Sequence, residues 1–549
     1  MGRPVLGDGT YLTAADLLCG WNEEVTPDPA YWHGVFNVAL VDTKECTLLL
    51  MCDDFGSLPL YYGEKPDEVL CCNSLRMARA WGLEIDDVAF AEQYALGYVV
   101  GERTLVKNLA RIAPGSMVRL SLRGSRSPRV HRWSSAWSNC LGGKLADLGD
   151  EAAERWRMSL ATLGRLAGRV GVMLSGGLDS RLVLGGFSAL GADTVACTHG
   201  DPDSVEVDLA KEVARVLQVP WTLNAVDGRF SIENLHLRDV FLETELLVNP
   251  VWWGSGMLLQ ERNCSALTTG CLGDALIGGS YYVDASAGRR LTRNLIGSLG
   301  WTLKATDADR AKLDGLADVI VAEATKRMRH HGALLRDELR ATMAISLAGL
   351  KERVLSVLGG YVGEGASKLE QVKERYLCEH RDRKFIFGQE LQLMAFGVLV
   401  LPSMDSTFAP WLTNLDPALR YDHRLYYLLF RRLYPALAKI AVPNLYGRVD
   451  RAQFVMEVSR VVGRAIDRWG RRKARPRSWV NFNEWLRASG GLGAYERIFL
   501  GLPEIFEQRA VRARFESIRS GERSLYDGNE SLGFIAAAWH RVGEARVDV

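Results

Sequence analysis

From Val35 to about Leu122 the apolar positions come in short alternating or unbroken runs, VFNVALVD, CTLLLMCDD and EVLCCN, separated by Asp, Lys, Gly and Pro. That period of two predicts a β-rich layer. A Pro114-Gly115 turn leads into a further strand at Met117 to Leu122. The polar, basic stretch GSRSPRVHRWSS, residues 124–135, reads as an edge segment or linker, and a domain boundary is expected near 140–150. From Glu151 the period changes to a helical one as far as about Leu166. Apolar strands then alternate with amphipathic helices: strand Arg169 to Leu174, helix from about Ser180 to Leu190, strand Thr194 to Thr198, helix from about Ser204 to Leu217, strand Trp221 to Ala225. Such alternation predicts a parallel α/β sheet. Beyond about 285 it stops, and the segments up to about 520 read mainly as helices, with no internal repeat or low-complexity tract.

A chain of 549 residues is long enough for about three domains, each with its own core. With 48% apolar and 24% charged residues it lies far from the composition of disordered chains. Lys plus Arg is 67 against 66 for Asp plus Glu, a net charge of +1, so no overall field draws the molecule to nucleic acid or to an anionic membrane, and neither partner is expected. Any anionic ligand must be held locally. Ten cysteines without a C-x-x-C pair suggest reduced thiols. The first twenty residues lack a signal-peptide pattern, and the longest apolar run, Leu393 to Leu401, is less than half of the ~20 residues that a membrane helix needs. The expected compartment is the cytoplasm.

The chemistry concentrates where the strand ending at Leu174 turns into a helix: Ser175, Gly176, Gly177, Leu178, Asp179, Ser180. Consecutive glycines let backbone N–H groups approach a ligand, and the following helix adds its free N–H groups and positive dipole end. That combination suits phosphate. The lysine of a Walker loop is missing, and Asp179 would repel phosphate unless magnesium lay between them. The plainer alternative is a tight turn with Ser175 or Asp179 as helix cap.

The S-G-G-x-D-S loop resembles the pyrophosphate loop of ATP pyrophosphatases. MCDDFGSLPLYYGE (residues 51–64), Asn73-Ser74-Leu75 and Ala113-Pro114-Gly115 resemble signatures of the glutaminase domain of class B asparagine synthetases. TTGCLGDALIGGSYY (268–282) and VLPSMDSTFAPWLTNLDPALR (400–420) resemble segments of the synthetase domain. The resemblance is to the class B asparagine synthetase superfamily, which also holds β-lactam synthetases and lasso-peptide cyclases. It implies an α/β parallel-sheet ATP-pyrophosphatase domain at 150–450, preceded by a truncated glutamine amidotransferase-like β-rich domain at 1–145 and followed by a helical C-terminal extension at 451–549. It further implies ATP and Mg2+ as cofactors. Nucleotide contacts would come from Leu174, Ser175, Gly176, Gly177, Leu178, Asp179, Ser180, Thr198 and Gly270, and Asp179 and Asp274 would hold the metal and serve catalysis. The implied reaction joins a small-molecule or peptide carboxylate to an amine or ammonia through an acyl-adenylate. An intramolecular cyclase and an inactive ATP-binding partner are the alternatives, and a homodimer stays open.

The chain departs from that family at several points. Residue 2 is Gly where the family has its catalytic cysteine, and Thr13 to Glu24 already resembles the middle of the glutaminase domain, so loss of glutamine hydrolysis is expected. Cys271 stands where asparagine synthetases carry a glutamate and β-lactam synthetases a tyrosine; it reads as a small filler, which leaves the amine's proton acceptor unassigned. Tyr281 and Tyr282 read as packing residues. Pro443 takes the place of the lysine that steadies the adenylate, with Lys439 and Arg448 read as solvated charges. Arg181 is expected to point at phosphates or substrate, or else at solvent. His199 reads as structural, Asp405 as a helix cap, and the basic run from Arg468 to Arg477 as a solvated linker.

Overall fold

The computed structural model of the chain describes all residues except 1–3, 5, 7–9, 11, 21–31, 66–67, 124–126, 166–167, 227–250, 283–286, 299–302, 470–476, 481–504 and 524–549. Gly2, residues 21–24 and most of the basic run therefore lie outside the described residues.

The N-terminal strands are β1 (Asn37–Asp42), β2 (Thr47–Cys52), β3 (Tyr61–Lys65), β4 (Glu68–Cys72), β5 (Leu109–Arg111), β6 (Ser116–Ser121) and β7 (Arg129–Arg132). They form two antiparallel sheets, in the order β1-β2-β6-β7 and β4-β3-β5. The polar stretch after residue 124 supplies β7, whose solvated side chains suit the edge it occupies.

A helix at Leu145–Gly164 leads into the second layer, where β8 (Val170–Met173), β9 (Thr194–Gly200), β10 (Trp221–Ala225), β11 (Ala266–Thr268) and β12 (Val398–Val400) form a parallel sheet in the order β10-β9-β8-β11-β12. The α/β expectation holds. All four residues of β8 are buried, as a central parallel strand requires. The expectation of mainly helical segments beyond 285 holds, with two additions: β12 adds an edge strand to β11, and Ala441–Val442 pairs with Gly447–Arg448 as a short antiparallel ribbon. Three residues carry too little periodicity to be read as a strand, and the sheet itself completes the signal. The remaining described segments up to 520 are mainly helical, including Gln453–Trp469 and Gln508–Arg519. No helix among the described residues is long and apolar enough to cross a membrane.

The two layers meet along a π-helix, Leu377–Ile386, whose wide turn sends neighbouring side chains to opposite sides. Toward the N-terminal layer, Arg383, fully buried, donates to the carbonyls of Gly56 (3.1 Å) and Ile112 and to Glu102 (2.9 Å). Lys384 donates to the carbonyls of Val99 (2.8 Å) and Gly101 (2.6 Å), and the Gly101 N–H donates to His380 at 2.9 Å. Gly56 has φ +55°, and a Cβ there would lie 2.8 Å from the Arg383 guanidinium. Both facts require glycine in the FGSLP turn.

A second contact joins His33 to Asp405 at 2.7 Å. Asp405 also accepts from the Thr407 N–H (3.0 Å) and hydroxyl (2.6 Å), but the next helix, Ala409–Thr413, has Phe408 at its N-cap, so the expected cap is replaced by a local turn and a pair with His33 that the sequence did not disclose. Asp54, buried nearby, accepts from the Ser134 hydroxyl, and burial pushes its carboxyl up to about 7. A carboxyl with a raised folded value costs stability as pH rises from the ordinary carboxylate range to about 7. Asp54→Asn keeps an acceptor for Ser134 and removes that cost. Its melting temperature relative to the wild type is expected to be higher at pH 8 than at pH 5 in thermal unfolding, and a pH-independent difference would remove Asp54 from the linkage.

Candidate active site

The loop at residues 175–180 closes on itself. The Ser175 N–H donates to the Ser180 hydroxyl (2.9 Å), the two hydroxyls lie 3.0 Å apart, and the Gly177 N–H donates to the Ser175 hydroxyl (3.1 Å). Glu206 accepts from the Gly176 N–H, and a Cβ on Gly176 would lie 3.0 Å from Glu206, so this glycine permits the packing of the Val205–Leu217 helix. Both serines thus build the loop. The N–H groups of Leu178, Asp179 and Ser180, in the first turn of the Leu178–Ala189 helix, have no intrahelical acceptor, and Gly177 makes no side-chain cap. The loop N–H groups that no protein acceptor takes up are therefore those of this first turn rather than of the whole loop. Leu174 is buried in the core below it.

Arg181 contradicts both sequence expectations. It faces neither solvent nor the loop mouth: fully buried, it donates to the carbonyls of Gly176 (2.6 Å), Ile440 (3.1 Å) and Ala441 (2.6 Å). Burial lowers its value to about 10. It ties the loop to the segment preceding Pro443. Lys439 is exposed, and Arg448 pairs with Asp450.

The second loop packs directly on the first. A Cβ on Gly270 would lie 2.5 Å from Asp179 Cβ and 2.6 Å from the Ser180 backbone nitrogen, and one on Gly273 would lie 3.1 Å from Asp179 Oδ1. Only glycine at 270 permits that approach. The contact brings Asp274, in the short helix Gly273–Leu276, to the Asp179 side of the loop. Asp179 accepts from the Tyr426 hydroxyl at 2.6 Å. Burial, and next the charge of Asp274, push the Asp179 carboxyl well above the carboxylate range. Asp274 is half exposed, with His423 at 4.0 Å; burial raises its carboxyl, but His423 and Ser280 outweigh that and hold it low. Two facing carboxylates at a helix N-terminus, one strained by the other's charge, form a donor set that a hard divalent cation fits.

The outlying expectations fare differently. Thr198 is buried in β9 and its hydroxyl accepts from the Trp221 indole at 2.9 Å. His199 sits between Trp252 and Trp479, ring centroids 5.5 and 5.0 Å away, and burial lowers it to about 4. Cys271 is buried in the main core; burial first, then Glu390 and Asp382, push its thiol well above its ordinary value.

Three residues near this loop escaped the sequence reading. Glu390 accepts from the Thr269 hydroxyl (3.2 Å) and burial raises it to about 7. Asp382, fully buried on the π-helix, accepts from the Tyr281 hydroxyl, and burial raises it to about 6. Lys373 donates to the Tyr281 carbonyl at 2.8 Å. All three lie more than ninety residues beyond the loop, and no local motif marks them. Tyr281 packs against the core as expected, and its hydroxyl also donates to Asp382.

No curated protein matches the chain. A glutamine amidotransferase domain model matches residues 17–133. An asparagine synthase model matches residues 159–437, just over half of the chain and the stretch that carries both loops, Asp179 and Asp274. With that match laid over the parallel sheet and its paired loops, the chain belongs to the asparagine synthetase-like (class B) family of ligases.

Proposed function

We propose that the protein is an AMP-forming amide ligase, which activates a carboxylate on ATP as an acyl-adenylate and transfers the acyl group to an amine. The observation that carries this reading is the packing of Gly270 and Gly273 against Asp179, which sets two carboxylates beside the free N–H groups of residues 178–180. Asp179 and Asp274 would hold Mg2+, which supplies charge neutralisation on the leaving pyrophosphate. The N–H groups of Leu178, Asp179 and Ser180 bind and orient phosphate oxygens before any charge develops, and such preorganised donors cost no rearrangement during reaction. Tyr426 fixes the Asp179 carboxylate through its hydroxyl, and Arg181 keeps the loop from opening by holding the Gly176 carbonyl.

The reading assigns no glutamine hydrolysis to Cys52, the cysteine within the glutaminase-like signature. Its thiol is sealed in the core and pushed up by burial to about 12, far from a nucleophilic thiolate. The test of the reaction class is product analysis. Purified protein with ATP, Mg2+, a panel of amino-acid carboxylates and ammonium is expected to yield AMP and pyrophosphate. ADP and orthophosphate would place the chemistry in another class.

A further inference from the structure

The helix Gln453–Trp469 contributes no residue to the site described above. One face of it lies on the protein. Met456 and Glu457 are buried there, and Glu457 pairs with Arg290 (2.9 Å) and Arg460 (2.6 Å). Gly463 belongs to the same side, where an added Cβ would overlap the Tyr446 ring. The opposite face carries Phe454, Val455, Val458, Val461, Val462 and Ile466, all of them exposed, Ile466 by 64%. Positions 454, 458, 462 and 466 follow one another by a helical turn, with 455 and 461 beside them, so the six form a single stripe. At 1.5 Å per residue it runs for about 18 Å. Single apolar side chains on a surface need no explanation, but a contiguous stripe marks a place of association.

Two properties decide what the stripe meets. The first is that it offers nothing directional: Ser459, the polar residue at its edge, already donates its hydroxyl to the Val455 carbonyl at 2.9 Å. A protein interface carries roughly one hydrogen bond per 100–200 Å², whereas hydrocarbon asks for none. The second is charge. Arg451 and Arg464 are exposed on the helix and its lead-in, and from residue 451 to 477 the sequence holds nine basic residues against two acidic ones. Arg471, Arg472, Lys473 and Arg475 follow directly on the helix. The chain is then held again at Arg477, whose guanidinium lies 3.7 Å from the centroid of the Tyr446 ring that packs on Gly463. Both ends of the basic segment are thus held at this helix, and its charge adds to that of the helix. A second copy of the helix is a poor match, because a parallel pair sets the basic segment against itself and an antiparallel pair sets it against Arg451. The balanced net charge of the chain removes a field over the whole molecule but leaves this local one.

We propose that the Gln453–Trp469 helix is a membrane-surface anchor, which lays its stripe from Phe454 to Ile466 into the headgroup boundary of an anionic bilayer while the basic residues beside it meet the lipid phosphates. An amphipathic helix of this kind lies in the plane of the interface with its apolar face buried. Neighbouring Lys and Arg supply an attraction to anionic lipid that falls off within a Debye length. Binding by this helix does not depend on the reaction catalysed at the paired loops.

Flotation of the full-length protein with vesicles tests the anchor, using phosphatidylcholine alone and phosphatidylcholine with about 40% phosphatidylglycerol, at about 0.1 M salt. Binding to the anionic vesicles is expected to be about tenfold tighter or more, and to weaken by about tenfold in 1 M salt, where the Debye length falls to ~3 Å. Val458→Glu/Val462→Glu on the stripe, and Arg471→Gln/Arg472→Gln/Lys473→Gln beyond it, should each weaken binding by about tenfold or more. Val319→Glu, at an equally exposed apolar position of the helix Arg310–His331, should leave it unchanged. Because Val458 and Val462 are exposed, the stripe variant should keep the wild-type melting temperature, which separates lost binding from a lost fold. Absence of binding to the anionic vesicles, or binding that the stripe variant retains, would overturn the proposal. A wild-type dimer in sedimentation that the stripe variant dissociates would also overturn it, by assigning the stripe to a second copy. Retention of the protein by immobilised poly-glutamate but not by vesicles would overturn it in favour of an acidic polypeptide.

Discussion

Asp179→Asn is expected to abolish pyrophosphate exchange, by about a thousandfold or more, while raising the melting temperature. The loss follows from removing an oxygen that the proposed function assigns to Mg2+, and such a loss costs several kcal/mol of transition-state stabilisation. The gain follows from the same carboxylate in the resting protein. It is buried, pressed by the charge of Asp274 and pushed well above its ordinary range, so its ionised form opposes folding. Asparagine has the same shape, keeps an acceptor for the Tyr426 hydroxyl and leaves the approach of Gly270 undisturbed. Asp274→Asn should lose exchange in the same way but change stability less, since that side chain is half exposed. Opposite movement of activity and stability is the signature of a site strained for function. Unchanged exchange in either variant would remove that residue from the site.

The second large effect lies behind the loop. Arg420 and Glu374, both fully buried, form a two-pronged ion pair at 2.9 and 3.0 Å. Glu374 also accepts from the Trp137 indole at 2.9 Å, and Arg420 donates to the Leu276 carbonyl (2.6 Å) and the Tyr282 hydroxyl (2.8 Å). The pair therefore ties the segment after β7 to the loop that carries Asp274 and Tyr281. Arg420→Met strands a buried carboxylate and is expected to cost about 3–5 kcal/mol in denaturant unfolding. The double variant Glu374→Met/Arg420→Met should recover a large part of that loss, because no charge is then left unpaired. A cost below about 1 kcal/mol for the single variant would show that the pair is not desolvated as described.

How much of this could be read from the chain depends on whether each signal is local. The S-G-G-x-D-S loop, its flanking strand and helix, and the G-x-x-G-D turn announced themselves because phosphate binding needs small residues and a helix start within one short stretch. The five-stranded sheet was legible through β10, where strand and helix periods alternate, and became illegible at β11 and β12, where three residues each rely on distant neighbours for pairing. Arg181 was misread because a lone arginine on a first helical turn carries no sign of its partners; three backbone carbonyls, two of them about 260 residues away, decide its direction. Asp382 was passed over within a run of charged residues. Nothing in CEHRDRKF tells which members face the N-terminal layer and which the loop, since a π-turn shifts the helical register on which such a reading rests. His33 and Asp405, 372 residues apart, illustrate the same limit between layers.

The central claim is that a carboxylate oxygen attacks the α-phosphorus of ATP at the paired loops. Oxygen-18 in the carboxylate substrate tests it most directly, because the attacking oxygen must leave with the nucleotide when the amine takes the acyl group. Mass spectrometry of the products is expected to find one labelled oxygen in AMP and none in pyrophosphate. Label in orthophosphate, or unlabelled AMP alongside amide formation, would contradict the account.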